Sequence, residues 1–134
     1  MEPPKTPNLT KILSAIGAGH NVITLSGDLG AGKTTLAKYL LKNFDINQEE
    51  VTSPTFNILN IYDSKDFQIW HYDLYRLKSS EEVFNLNYEE ALEQKLVLIE
   101  WPEIIKKYLP RKRIDITIKI LDNNEREYNF KIHP

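Results

Sequence analysis

Between Gly27 and Thr34 the chain reads Gly-Asp-Leu-Gly-Ala-Gly-Lys-Thr, which satisfies G-x-x-x-x-G-K-[ST] at every fixed position. The flanks fit the motif. Val22-Ile23-Thr24-Leu25 is a short β-rich apolar run, and Leu36, Leu40, Leu41 and Phe44 restore a helical period from Lys33 to about Phe44. Strand, glycine loop and helix in that order make a cradle for a polyanion. Successive N–H groups of a tight loop point inward, and the helix start adds partial positive charge. Gly30 and Gly32 bring no side chain into that space. The pattern therefore predicts that Gly30, Ala31, Gly32, Lys33, Thr34 and Thr35 hold the phosphates of a nucleotide. Lys33 supplies a point charge to the outer phosphates, and the Thr34 hydroxyl is a hard oxygen ligand for Mg²⁺. Asp28, repelled by phosphate, is expected to face outward.

The rest of the chain is organised around that unit. Leu9, Ile12, Leu13 and Ile16 form one apolar helix face, with Thr6 as its cap and Pro7 at its first position. Runs at Thr55 to Tyr62 and Phe67 to Tyr72, split by Asp63-Ser64-Lys65-Asp66, predict an antiparallel hairpin. Capping-box spacing at Ser79/Glu82 and Asn87/Glu90 predicts two short helices. Leu96-Val97-Leu98-Ile99 reads as a central buried strand ending in Glu100, and Pro102 opens a brief helix that Pro110 stops. Alternating Ile114, Ile116, Ile118 and Ile120, a turn at Asp122-Asn123-Asn124, and alternating Tyr128, Phe130 and Ile132 predict a second hairpin. The expected class is α/β, a P-loop NTPase-like mixed β-sheet flanked by helices, with antiparallel hairpins. Residues 1–134 are expected to form one domain.

A phosphate loop needs an acid near the metal, and ligands in open α/β sheets gather at the carboxyl ends of strands. Glu100 is the expected Mg²⁺ ligand beside Thr34. The alternative is a carboxylate that serves only a helix start. Asp73 ends the run Phe67 to Tyr72 and is the candidate to orient an attacking water; an ordinary turn cap is the competing role. His71 is read as a packed or hydrogen-bonded core residue, Arg76 as a surface salt bridge, Trp70 and Trp101 as packing residues. The basic triplet Arg111-Lys112-Arg113 is read as a solvated loop.

Composition narrows the class. The 134 residues carry 17 basic and 19 acidic side chains, a formal charge of −2, which argues against a strongly basic, sequence-independent nucleic-acid binder. No cysteine is present, so thiolate metal sites and cysteine nucleophiles are excluded. No apolar run approaches the ~20 residues of a bilayer span, and the first residues do not read as a secretory signal. A cytosolic setting with no membrane contact is the expectation. No N-K-x-D motif occurs, which favours ATP over GTP. Only four arginines are present, which favours hydrolysis over transfer to a small acceptor.

Four segments together resemble the TsaE family of bacterial ATPases. They are Gly27 to Thr35, Ser53-Pro54-Thr55-Phe56, His71 to Leu77, and Glu100-Trp101-Pro102-Glu103. The resemblance spans about Thr6 to Ile120. It implies ATP hydrolysis, weak alone and stimulated by partners, in the formation of threonylcarbamoyladenosine in tRNA. The implied partners are TsaD, which performs the transfer, and TsaB, with tRNA met indirectly through that complex. The implied role is to reset or remodel the complex. By the same resemblance Thr34 and Glu100 ligate Mg²⁺, Asp73 is the catalytic acid and Thr6 contacts the nucleotide; the loop chemistry makes Lys33 catalytic as well. Ser53 to Phe56 corresponds to a switch segment. Leu86-Asn87 stands where family members often have Leu-Gly; asparagine tolerates left-handed backbone angles, so the turn is expected to survive. Two rival readings remain, a small-molecule kinase and a switch driven by ATP occupancy with incidental hydrolysis.

Overall fold

The computed structural model describes residues 9–28, 30–46 and 58–134. Thr6 and the Ser53–Phe56 segment lie outside them. Six strands form one mixed sheet: β1 (Val22–Ser26), β2 (Leu59–Asp63), β3 (Gln68–Asp73), β4 (Leu96–Glu100), β5 (Ile114–Ile120) and β6 (Arg126–Ile132). Their order across the sheet is β2-β3-β4-β1-β5-β6. The inner four run parallel, and the edge strands β2 and β6 close antiparallel hairpins on β3 and β5. Both hairpins and the placement of β4 beside β1 agree with the sequence reading.

Helices cover both faces because the inner strands are apolar on both faces. Ile23 and Leu25 of β1 pack with Ile12 and Ile16 of α1 (Leu9–Gly17) and with Leu36, Leu40 and Leu41 of α2 (Lys33–Lys42). On the other face Val22, Tyr72, Val97 and Ile99 meet Val83 of α3 (Ser80–Phe84), Tyr88 and Ala91 of α4 (Tyr88–Ala91), and Ile105. Ile105 belongs to a 3₁₀ stretch, Pro102–Tyr108, with proline at its start. Among the described residues no helix is long and apolar enough to cross a membrane.

The two expected capping boxes have different outcomes. At Ser79 the box forms, with the Glu82 carboxylate accepting the Ser79 N–H at 3.1 Å. At Asn87 it does not: φ is 60° and ψ 39°, and the side chain caps nothing. The cause is the link. Asn85 caps the end of α3 and α4 begins at Tyr88, so only two residues join the helices. That short link passes through the left-handed region at Asn87, which asparagine enters more cheaply than most residues. Asn87→Ala should therefore destabilise by about 1 kcal/mol, while Asn87→Gly should stay within about 0.5 kcal/mol of wild type. Urea denaturation of both variants checks this; equal losses would show that the backbone angle is not the cause.

Candidate functional site

The glycine loop leaves the carboxyl end of β1 and enters α2. Gly30 and Gly32 have φ of 80° and 102°, a region that costs a side-chain-bearing residue roughly 1–2 kcal/mol. A Cβ on Gly30 would meet nothing within 4 Å, so handedness rather than crowding within the protein demands glycine there. Asp28 is exposed, as expected, and only its carbonyl turns into the loop, accepting from Ala31 N at 3.0 Å. Ala31 is fully buried and offers the loop its backbone alone.

Strand pairing brings the acids to the loop. Leu25 is opposite Glu100, and Glu100 is opposite Asp73, so both carboxylates sit at the edge where the loop begins. Partners in register share a face of the sheet, and here it is the face covered by α2. Thr34, in the first turn of α2, donates its hydroxyl to Glu100 at 3.3 and 3.4 Å from the two carboxylate oxygens. Glu100 is almost fully buried and accepts a second bond, from Nε2 of the fully buried His71, at 2.5 Å. His71 is thus the hydrogen-bonded core residue expected, but its partner is the candidate metal ligand. Its Nδ1 is buried and has no hydrogen-bond partner among the described residues.

Lys33 is buried and donates to Gly27 O at 2.6 Å and Asp28 O at 3.0 Å. Its ammonium also lies 4.1 Å from the centre of the Trp101 ring, a cation–π contact that its reading as a packing residue omitted. Burial lowers the Lys33 pKa, opposed by the charges of Glu100, Asp73, Glu103 and Asp28. The Asp73 pKa is raised, first by burial and also by Glu100, against a hydrogen bond from Tyr75 N and the charges of His71 and Lys33. A carboxyl group raised in this way is a better proton acceptor than a free one. Trp101 itself has φ 57° and ψ 60°, and its ring packs on Tyr75 with centroids 4.7 Å apart.

These groups surround a cavity of about 320 Å³. Gly30, Gly32, Thr34 and Thr35 form its floor, and Lys33, Asp73, Glu100 and Trp101 complete it. Of the residues expected in the site, all that are described come together here except Ala31, whose side chain points into the core. Arg76, expected in a salt bridge, is exposed and forms no ion pair among the described residues. It shares a small cleft with Asp73. In the basic triplet, Lys112 is bound to Ala18 O and Arg113 to Asp115 and Pro110 O, so two of its members fasten the loop. A second cavity, of about 220 Å³, includes Thr24, Arg113 and Asp115. Of the two acids that line it, Glu103 and Asp115, the latter is already saturated by Thr24, Arg113 and His133 at 2.6, 3.0 and 2.7 Å.

Sequence reasoning missed one residue of the loop's surroundings. Arg126, at the start of β6, donates to Ala31 O at 3.0 Å and to Gly30 O at 3.2 Å. No motif marks it.

Comparison with known proteins places the chain in a family. The family model described as threonylcarbamoyl adenosine biosynthesis protein TsaE matches residues 2–128. The tRNA threonylcarbamoyladenosine biosynthesis protein TsaE of Rickettsia typhi is 45% identical over 127 residues, covering 95% of this chain and 88% of that protein. The protein of the same name from Bacillus subtilis is 36% identical over 130 residues, covering 97% and 81%. A crystal structure of Bacillus subtilis YdiB superposes with a TM-score of 0.66 at 32% identity, covering 96% of this chain and 82% of that one. A family model matched over residues 2–128 and relatives 36–45% identical over four-fifths or more of their own length lead to one conclusion: the chain belongs to the TsaE family.

Proposed function

We propose that this chain is a Mg²⁺-dependent ATPase acting in the formation of threonylcarbamoyladenosine in tRNA, where it remodels or resets a TsaB–TsaD complex and leaves the transfer chemistry to that complex. The tRNA pathway comes from the names of the relatives. The ATPase reading rests on one observation, the Thr34 hydroxyl within 3.4 Å of both Glu100 carboxylate oxygens beneath the glycine loop. A hydroxyl and a carboxylate are hard oxygen donors suited to Mg²⁺, which keeps water and phosphate oxygens in its other positions. When bound, the ion supplies charge that offsets the developing negative charge on the phosphoryl oxygens.

The chain's own groups divide the remaining work. The loop amides and Lys33 hold the β- and γ-phosphates and stabilise the transferring group. Asp73 accepts a hydrogen bond from the attacking water and orients it in line. His71 fixes the Glu100 carboxylate through Nε2–H. No strong nucleophile is present among these groups, so turnover is slow alone and rises when a partner orders the site.

Asp73→Asn tests this reading. It should bind ATP as wild type does, lower phosphate release roughly 100-fold, and fail to support tRNA modification by TsaB–TsaD. It should also raise Tm at pH 7 by about 1–3 °C. A folded-state pKa raised above the unfolded value gives stability that is present at low pH and lost as pH rises through the folded value. Removing the carboxylate recovers that loss, so the gain in Tm should vanish below the ordinary aspartate range. Wild-type turnover by the variant would remove Asp73 from the mechanism. Modification supported by a variant without turnover would favour the occupancy switch, and phosphate transfer to an acceptor other than water would favour the kinase.

A further inference from the structure

The C-terminal hairpin carries no recognised motif, yet both of its strands reach the phosphate loop. An ideal Cβ built on Gly27 would lie 2.6 Å from the backbone oxygen of Ile118, so the first residue of the loop is pressed against β5. From β6, Arg126 bridges two consecutive loop carbonyls, those of Gly30 and Ala31. Its third bond, from Nη1 to Asn124 O at 2.7 Å, ties the guanidinium to the hairpin's own turn. It has no carboxylate partner among the described residues.

We propose that Arg126 is a positioning residue that holds the phosphate loop in its anion-binding shape through the carbonyls of Gly30 and Ala31. The proposal rests on the reading of this loop as a triphosphate cradle. In a planar trans peptide the C=O and the N–H point in opposite directions. Holding Gly30 O and Ala31 O toward the hairpin therefore fixes the direction of the Ala31 N–H, which closes the turn onto Asp28 O, and of the Gly32 N–H at the entry to α2. It also turns two carbonyl dipoles, which would repel phosphate, toward a cation. Glycines on either side of Ala31 leave the backbone free to take other angles, so an external fastening has an effect here that it would lack in a helix. Only arginine has the planar fork that spans two acceptors; lysine keeps the charge and loses the bridge.

The test uses the full chain as wild type, Arg126→Ala, Arg126→Lys and, as a control, Lys33→Ala. A fluorescent N-methylanthraniloyl ATP is titrated with Mg²⁺, and amide hydrogen exchange across residues 27–35 is followed without nucleotide. Both Arg126 variants should bind roughly tenfold more weakly than wild type, exchange faster in the loop, and melt within about 2 °C of it. Wild-type affinity in Arg126→Ala would overturn the proposal. Full rescue by Arg126→Lys would also overturn it, because charge alone would then suffice. If wild type itself fails to bind the ATP probe, the ATPase reading falls, and the exchange data still decide the clamp: unchanged loop exchange overturns it, faster exchange supports it.

Discussion

Lys33→Ala should lower ATP turnover roughly 100- to 1,000-fold, read as phosphate release at saturating Mg²⁺. The Lys33 ammonium is held by the carbonyls of Gly27 and Asp28 and faced by the Trp101 ring. Burial makes that charge costly, as its lowered pKa records. The cost is offset when a polyanion arrives, which is the condition under which the charge is useful. The substitution should not unfold the protein. It removes a buried charge, and the two carbonyls belong to residues exposed enough to turn to water. Tm should stay within about 2 °C of wild type. Unchanged turnover in this variant would dismiss the glycine loop as a catalytic element.

Glu100 should show two separable losses. Glu100→Gln keeps an acceptor for His71 Nε2 and Thr34 but removes the charge that the proposed Mg²⁺ would face. It should lower turnover at least ~100-fold and shift the Mg²⁺ requirement upward, with little change in Tm. Glu100→Ala should lose activity equally and also destabilise by about 3 kcal/mol in urea denaturation, because a buried imidazole is left with neither nitrogen bonded. If both variants unfold alike, Glu100 is a structural acid, and its place beneath Thr34 carries no metal chemistry.

The strand and acid of the site were legible because each is a local pattern with a forced consequence. Leu96 to Ile99 is apolar at every position, which suits a strand covered on both faces. Such a strand belongs beside β1, and that puts the next residue, Glu100, at the loop. The bond from His71 to Glu100 needed one further fact, the register. With His71 opposite Leu98, the acid two residues on lies on the same face and one step along. Arg126 was not legible. Its contacts span 95 and 96 residues of sequence and depend on where a seven-residue hairpin strand begins, which alternation alone does not specify. At Asn87 the spacing of a capping box was present, but the two-residue link imposed a backbone angle that the pattern cannot encode.

The left-handed backbone of Trp101 joins two parts of the cavity. Glu100 ends β4, and the turn at the next residue throws the indole back over Lys33 while the chain departs into the 3₁₀ stretch. Acid and aromatic lid are consecutive links of one short bracket, and Trp101 N is itself bonded to Leu25 O of β1. Because the ring and the carboxylate are carried by adjacent residues, a substitution that moves Trp101 would also shift Glu100 relative to Thr34.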